Sequence, residues 1–216
     1  KDQLELTDEQ RYLLEQKYRA FARNGANLPK EKQVELKEIS KELAQLSLTF
    51  GQNVLAETNA YTLHLTKEED IQGLPEAVLA QAANTAKESG KDGWIFTLQA
   101  PSYIPFMKYN KNRERRKEMY LANGKKAFQD NEFNNEENVK KIITLRQQRA
   151  NLLGYPTHAA YVLEERMAKS PENVLFFLHD LLGKAKPFAE KEIEELAAYA
   201  KKTENIDKLM PWDHSY

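Results

Sequence analysis

The chain has 216 residues, of which 41% are hydrophobic and 30% are charged, and it contains no cysteine. This length suits one large or two small domains, and the lack of cysteine excludes disulfides and thiolate zinc sites. The 32 Lys and Arg and the 33 Asp and Glu give a net charge of -1, so no global field attracts nucleic acid or an anionic membrane. No apolar run approaches the roughly 20 residues of a membrane span.

The first 60 residues are predicted to form two helices. Thr7–Gln10 has the pattern of a capping box, and an apolar stripe follows it. Gly25 is expected to end this helix. A second helix is predicted from Pro29 to Ala56, because apolar residues recur there at alternating steps of three and four. The stripes consist of Tyr12, Tyr18, Phe21 and Ala22 in the first helix and Leu36, Ile39, Leu43, Leu46 and Phe50 in the second. The short connection favours an antiparallel hairpin.

The hydrophobic period changes between residues 61 and 98. Tyr61–Leu65 and Trp94–Leu98 alternate apolar and polar residues, which is typical of short strands. Pro75 to Ser89 between them reads as a helix. A strand, a helix and a strand at this spacing predict a parallel pair, which is stable only when it packs against helices.

The rest of the chain returns to helical periodicity. Pro101 and Pro105 are expected to keep their segment extended or turning. Ser170 is a favourable N-cap for the last helix, in which Pro187 predicts a kink. The predicted helices are 112–128, 136–153, 157–167 and 171–201. One face of the last helix carries Leu175, Leu178, Leu182, Ala185, Ala189, Ile193, Leu196 and Ala200.

These elements predict a mainly α fold, a helical bundle with a minor two-stranded β element. We expect one helical domain over residues 1–216, made of a helical hairpin (1–60), the strand-helix-strand element (61–98) and a helical part (99–216). A division into two domains would fall near Gln99 to Pro105, but no flexible linker is evident there.

The sequence offers no complete active site. A helical zinc hydrolase needs two histidines on one helix face with a glutamate between them, as in H-E-x-x-H. The four histidines lie far apart and none has that pattern: His64, His158, His179 and His214. His158 with Glu164 or Glu165 is a weak candidate for a shared site, and a partly exposed structural histidine is the favoured interpretation. Gly90–Gly93 lacks the spacing of a phosphate loop and reads as a turn. We therefore assign no catalytic, cofactor-binding or metal-binding residue.

A basic stretch between Lys108 and Tyr120 is the one candidate for phosphate binding. Its cations are Lys108, Lys111, Arg113, Arg115, Arg116 and Lys117. Because Glu114 and Glu118 interleave them, a solvated helix face with i, i+4 ion pairs is the favoured interpretation. No nucleic-acid partner is expected.

Several stretches together resemble the M3 metallopeptidases, the family of thimet oligopeptidase, neurolysin, oligopeptidase A and the peptidyl-dipeptidases. The ending "MPWDHSY" is similar to the Trp-Asp and tyrosines that precede the family's catalytic region. "YTLHLTKEEDIQGLPE" with "WIFTLQAPSY" is closer to the peptidyl-dipeptidase branch. The other matching stretches are "FARNGANL", "ELAQLSLTFGQNV", "LQAPSYIPFMKYNKNRERRKEMY" and "LRQQRANLLGYPTHAAYVLEERMAKSPENVLFFL".

The resemblance implies a helical lobe of a zinc-dependent oligopeptidase that acts on short peptides, with release of carboxyl-terminal dipeptides as the expected reaction. The family's H-E-x-x-H and third zinc ligand lie beyond the Trp-Asp motif, so this chain is expected to be a fragment that lacks them and is inactive alone. No catalytic or zinc-binding residue carries over to it, and "EERMAKS" reads as packing and helix punctuation. The implied partners are peptide substrates and the catalytic half of the same polypeptide, with no nucleic acid and no membrane. A cytoplasmic location is expected, although a leader before Lys1 stays open.

The alternative is a non-enzymatic helical module that holds a protein or peptide partner on its basic face or in a helix groove. A truncated domain should instead expose an apolar patch where its other half docks. Trp212 and the stripe of the last helix are the expected members of that patch.

Overall fold

The computed structural model describes residues 5–216, and these form a mainly α fold with one small sheet. The two strands are β1 (Thr62–Leu65) and β2 (Trp94–Thr97), and short 3-10 turns cover Glu68–Asp70 and Pro211–Asp213. The helices are α1 (Asp8–Arg23), α2 (Lys30–Ala60), α3 (Glu76–Glu88), α4 (Ala100–Tyr109), α5 (Arg113–Gly124), α6 (Glu136–Leu152), α7 (His158–Leu163) and α8 (Pro171–Glu204).

The chain forms two compact units. The first unit comprises the chain up to Thr49 together with Asn138–Asp180, and the second comprises Phe50–Glu137 together with Leu181–Tyr216. Helices α2, α6 and α8 contribute residues to both. The organisation as a single domain, and the pairing of the first two helices as a hairpin, stay predictions.

The core of the first unit is the seam predicted from the spacing of apolar residues in α2. Ile39 and Leu43 pack with Ile142 of α6, and further partly buried leucines border them. Steps of three and four residues place these side chains on one helix face, and their burial supplies the packing that a single helix lacks. This part of the predicted core is confirmed.

Helix α1 starts and ends where the sequence predicts. The Thr7 hydroxyl accepts from the backbone N–H of Gln10 at 3.3 Å, and the Gln10 side chain accepts from the backbone N–H of Thr7 at 3.0 Å. Gly25 follows the helix with a φ of +88°, a conformation that favours glycine. The apolar stripe of this helix is not a core face, because Tyr12, Tyr18 and Phe21 are all exposed.

The second unit has the larger core, built around the small sheet. Phe96 and Phe106 are fully buried, and their ring centroids lie 4.7 Å apart in an edge-to-face arrangement. The core residues are Leu63, Leu65, Ile71, Leu74, Ala82, Phe96, Leu98, Phe106, Met107 and Met119. Helices and loops thus cover the apolar face of two strands that would be unstable alone.

The two strands pair antiparallel, so the predicted parallel pairing is wrong. Leu65, at the end of β1, lies opposite Trp94, at the start of β2. The chain therefore leaves and re-enters the sheet at the same end. Residues 66–75 lead away from β1, and the 13 residues of α3 lead back over a length of about 20 Å. A crossover to a parallel strand would need a path back to the opposite end.

Helix α4 occupies the segment that was predicted to be extended or turning because of its prolines. Pro101 lies in the first turn, where its missing N–H has no helical partner to lose. Pro105 lies inside the helix and removes one backbone hydrogen bond. The next two residues, Phe106 and Met107, are buried in the core, and their burial offsets this loss.

A buried carboxylate closes the loop between α5 and α6. Glu57 of α2 is only 7% exposed. It accepts hydrogen bonds from the backbone N–H of Ala127, from Gln129 at 2.5 Å and from Asn131 at 2.9 Å. Ala127 has a φ of +55°, which is unfavourable for a residue with a Cβ. The three bonds to Glu57 hold the loop in this conformation.

Helix α8 starts at Pro171 after the predicted N-cap, since the Ser170 hydroxyl accepts from the backbone N–H of Asn173 at 3.3 Å. It continues through Pro187 to Glu204, and the kink at Pro187 stays a prediction. No residue of α8 is buried, although the structure describes all of the helix. Between residues 5 and 216, no helix has the length and apolar character required to cross a membrane.

Replacing Gly93 with alanine should destabilise the protein more than replacing Gly90. Both glycines have positive φ values, of +84° and +67°. A Cβ at Gly93 would lie 2.3 Å from the Leu65 carbonyl oxygen, whereas a Cβ at Gly90 would meet no atom within 4 Å.

We expect Gly90→Ala to cost about 1 kcal/mol from backbone strain, and Gly93→Ala to cost at least about 2 kcal/mol more, because β1 must move. Urea unfolding of the two variants measures the difference. Equal losses would show that the close approach to β1 is not a constraint.

Candidate functional site

The four histidines have different surroundings. The His64 ring bonds the carbonyl oxygen of Asp92 through Nε2 at 2.7 Å, while His179 and His214 are exposed. His158 begins α7, and its Nδ1 is buried without a hydrogen-bond partner. Over residues 5–216, no three histidine, aspartate or glutamate side chains are grouped as metal ligands would be.

The glutamates considered as partners of His158 instead bind Arg23. Glu164 forms an ion pair with Arg23 and accepts from the Tyr155 hydroxyl at 2.6 Å. The Arg23 guanidinium lies over the ring of Tyr161, 4.6 Å from its centroid, and donates to the Tyr161 carbonyl at 2.6 Å. These contacts tie the end of α1 to α7.

The "EERMAKS" stretch punctuates the chain between α7 and α8, as predicted. Not every residue of the stretch has the expected packing role, because Met167 is 99% exposed. The contacts with Arg23 described above are made by the two glutamates of the stretch.

The basic stretch at α5 is not simply a solvated helix face. Arg116 is 1% exposed, and Arg115 reaches a buried carboxylate, that of Asp70, at 3.1 Å. Surface ion pairs also occur, but at i, i+3 and not at the predicted i, i+4 spacing: they join Arg115 to Glu118 at 2.9 Å and Lys117 to Glu114 at 3.5 Å. Periodicity alone missed the inward arginines because their partners are distant in sequence.

Asp213 is the centre of the most developed polar cluster in the second unit. Its carboxylate accepts from Arg113 at 2.7 Å and from Arg116 at 3.0 Å, and it also caps its own turn by accepting from the backbone N–H of Met210 at 3.0 Å. Arg116 donates further to the carbonyl oxygens of Asn110 and Trp212. This cluster fixes the carboxyl-terminal segment on α5.

The two terminal aromatic residues belong to the same assembly. Trp212 packs against the core of the second unit and makes an edge-to-face contact with Tyr120 at 6.1 Å between ring centroids. The Arg116 guanidinium lies 4.0 Å from the centroid of the Tyr216 ring. The prediction that Trp212 belongs to an exposed apolar patch is therefore wrong.

The other predicted member of that patch, the face of α8, is exposed. Leu175, Leu182 and Leu196 of that face have exposed fractions of 54%, 58% and 49%, and its Leu178 and Ile193 are exposed as well. Apolar residues outside the predicted face are also exposed, namely Phe176, Phe177, Leu181, Phe188 and Tyr199. An apolar surface of this extent is typical of a site where another protein surface packs.

Asp213→Asn should reduce the free energy of unfolding by about 3 kcal/mol at pH 7, because it leaves Arg116 buried without its counter-ion. Burial by itself raises the pKa of Asp213, but hydrogen bonds from Arg113, Met210 and Arg116 hold that pKa below its ordinary value of 3.8. A carboxyl with a lowered pKa in the folded state stabilises fully above its unfolded pKa, and this contribution is lost as the pH falls further.

The difference between wild type and Asp213→Asn should thus shrink below about pH 4. Urea unfolding between pH 3 and pH 7 measures it. The control is Asp207→Asn, since Asp207 forms only an exposed pair with Lys201 at 3.3 Å, and its loss should cost under about 1 kcal/mol. A difference that stays constant over this pH range would contradict the assigned role of the Asp213 carboxylate.

Comparison with known protein families gives a match for the second half of the chain. The model of peptidase family M3 matches residues 106–216. This region includes α5 and the segment that Asp213 anchors to it.

Relatives extend the similarity over nearly the whole chain. Oligopeptidase A of Escherichia coli is 37% identical over 98% of this chain and 32% of its own length. The probable cytosolic oligopeptidase A of Arabidopsis thaliana is 31% identical over 98% of this chain and 31% of its own length. Dipeptidyl carboxypeptidase of Escherichia coli is 27% identical, over 100% of this chain and 32% of its own length. The chain thus spans about a third of the length of these relatives, and it belongs to peptidase family M3.

Proposed function

We propose that the natural polypeptide carrying this chain is a zinc-dependent oligopeptidase that hydrolyses short peptides. The observation that carries the proposal is the family match over residues 106–216, together with the 37% identity to oligopeptidase A. The release of carboxyl-terminal dipeptides is the narrower proposal, supported by the dipeptidyl carboxypeptidase among the relatives.

In this proposal the chain is a scaffold that forms part of the wall around the substrate channel. Among residues 5–216 no three potential zinc ligands are grouped. In this proposal the zinc site belongs to another part of the natural polypeptide, and no step of hydrolysis is assigned to these residues. Their contribution is rigidity. The buried pair of Arg116 with Asp213 and the pair of the partly exposed Arg115 with the buried carboxylate of Asp70 each fix a loop to α5. We expect these 216 residues alone to be inactive.

The exposed face of α8 supports the proposal that the catalytic part of the same polypeptide packs on it. In folded proteins, a helix gains most of its stability from burying an apolar face against other elements. No residue of α8 is buried in the described chain. The basic stretch of α5 offers less support for a separate interaction module, because Arg113 and Arg116 are already paired with Asp213. A cytoplasmic location is part of the proposal, and the name of the probable cytosolic relative supports it.

The natural polypeptide should cleave short peptides, and a zinc chelator should abolish the cleavage. Mass spectrometry of the products of an unblocked decapeptide distinguishes general oligopeptidase activity from the release of carboxyl-terminal dipeptides. Dipeptides removed one after another from the carboxyl end would support the narrower proposal, whereas internal cuts would support oligopeptidase activity alone.

The 216-residue chain serves as the control and should show no cleavage. Cleavage by this chain alone, abolished by a chelator, would contradict the scaffold role. No chelator-sensitive cleavage by the natural polypeptide would contradict the proposed enzyme.

Phe188→Ser tests the packing of α8. In the 216-residue chain the Phe188 side chain is 72% exposed, so the substitution should change the free energy of unfolding by less than about 0.5 kcal/mol. In the natural polypeptide it should cost about 2 to 4 kcal/mol, because a packed aromatic ring is lost.

The control is Glu190→Ser on the same helix, whose side chain is 62% exposed and pairs with Lys186. It should have a small effect in both contexts. Denaturant unfolding of both forms gives the four values. A small effect of Phe188→Ser in the natural polypeptide would show that α8 remains exposed there.

A further inference from the structure

A cavity of about 300 Å³ in the first unit has a positively charged lining. Arg23, Lys37 and Arg149 supply the charge, and none of the described residues that line the cavity is acidic. Its other polar or aromatic lining residues are Phe21, Asn24, Gln33, Ser40 and Tyr161. The volume is at the lower end of the range of small-molecule sites.

Arg149 is the unusual member of this lining. Its Nε is buried without a hydrogen-bond partner. Within residues 5–216 its guanidinium makes no ion pair or hydrogen bond. The guanidinium carbon lies 5.6 Å from the centroid of the Tyr161 ring. A guanidinium has five N–H donors, and leaving a partly buried cation without an acceptor is costly.

The other two cations differ in how they are neutralised. Arg23 is paired with Glu164 and bonded to the Tyr161 carbonyl oxygen, so its charge is already balanced. Lys37 is exposed, and among the described residues it has no ion pair. Two positive charges, on Lys37 and Arg149, thus border one cavity, and no carboxylate of residues 5–216 forms an ion pair with either.

The charge of Arg149 also acts on a neighbouring histidine, His158. Burial, followed by the charges of Arg149 and Arg146, lowers the pKa of His158. The ring of His158 lies 6.4 Å from that of Tyr161, the residue on which Arg149 is placed. Burial and the two arginines thus act in the same direction, against the protonated form of the imidazole.

We propose that this cavity binds a small oxyanion that carries a phosphate or carboxylate group, held by Arg149 with Lys37 as a second cation. The planar fork of arginine matches the oxygen geometry of both groups. Tyr161 borders the guanidinium, with its ring centroid 5.6 Å from the guanidinium carbon. Because none of the described lining residues is acidic, the positive charge remains available to the ligand. This site is independent of the proposed peptide hydrolysis.

Isothermal titration calorimetry of the natural polypeptide with inorganic phosphate, and separately with succinate, tests the proposal at constant ionic strength. We expect saturable binding of one ion per chain. Arg149→Gln should weaken it roughly tenfold or more, because the charged hydrogen bonds are lost. Lys37→Gln should weaken it several-fold, and this exposed position is not expected to affect folding.

The matched control is Arg146→Gln, which removes the same charge from α6. Arg146 is exposed and does not line the cavity, so its loss should change the affinity by less than about twofold. Binding of phosphate but not succinate assigns the ligand to the phosphate class, and the reverse assigns it to the carboxylates. No saturable binding of either ion at millimolar concentrations overturns the proposal, as does equal weakening by Arg146→Gln and Arg149→Gln.

Discussion

The pairing of Asp213 with Arg113 and Arg116 is the constraint around which the second unit is organised. Arg116 is almost fully removed from water, and a buried guanidinium without acceptors is costly. Asp213 and the carbonyl oxygens of Asn110, Lys111 and Trp212 accept its hydrogen bonds. The polar groups of the carboxyl-terminal segment therefore take the place of water around the Arg116 guanidinium. The same contacts hold Trp212 against the core. Such a pair specifies one arrangement more than it adds stability.

Each unit contains one arginine that is held by the same kinds of contact. In each, an arginine contacts a carbonyl oxygen, a carboxylate and a tyrosine ring: Arg23 in the first and Arg116 in the second. Cation–π contacts and charged hydrogen bonds both fix the orientation of a guanidinium. Arg149 has the ring contact with Tyr161 but no acceptor among residues 5–216, and this contrast distinguishes a completed structural cluster from a candidate ligand site.

The sequence was sufficient where structure depends on near neighbours. The capping box of Thr7 and Gln10, the stop at Gly25 and the apolar face of α2 were all predictable, because each pattern lies within a few turns of one helix. The strand direction was not, since it depends on the path of the 28 residues between Leu65 and Trp94. Helix α4 was missed because local proline rules weigh against it and its core contacts were unknown. Arg116 was expected to be solvated because its partner Asp213 is 97 residues away.

The closure of the loop by Glu57 has a consequence for the timing of folding. Its three donors lie 70, 72 and 74 residues later in the chain. At a synthesis rate of roughly 5 to 20 residues per second, the ribosome adds these donors about 4 to 14 s after Glu57. Until then the carboxylate must stay in water, because its burial without them would be unfavourable. This end of α2 therefore completes its packing late, and a long-range contact sets the order of assembly.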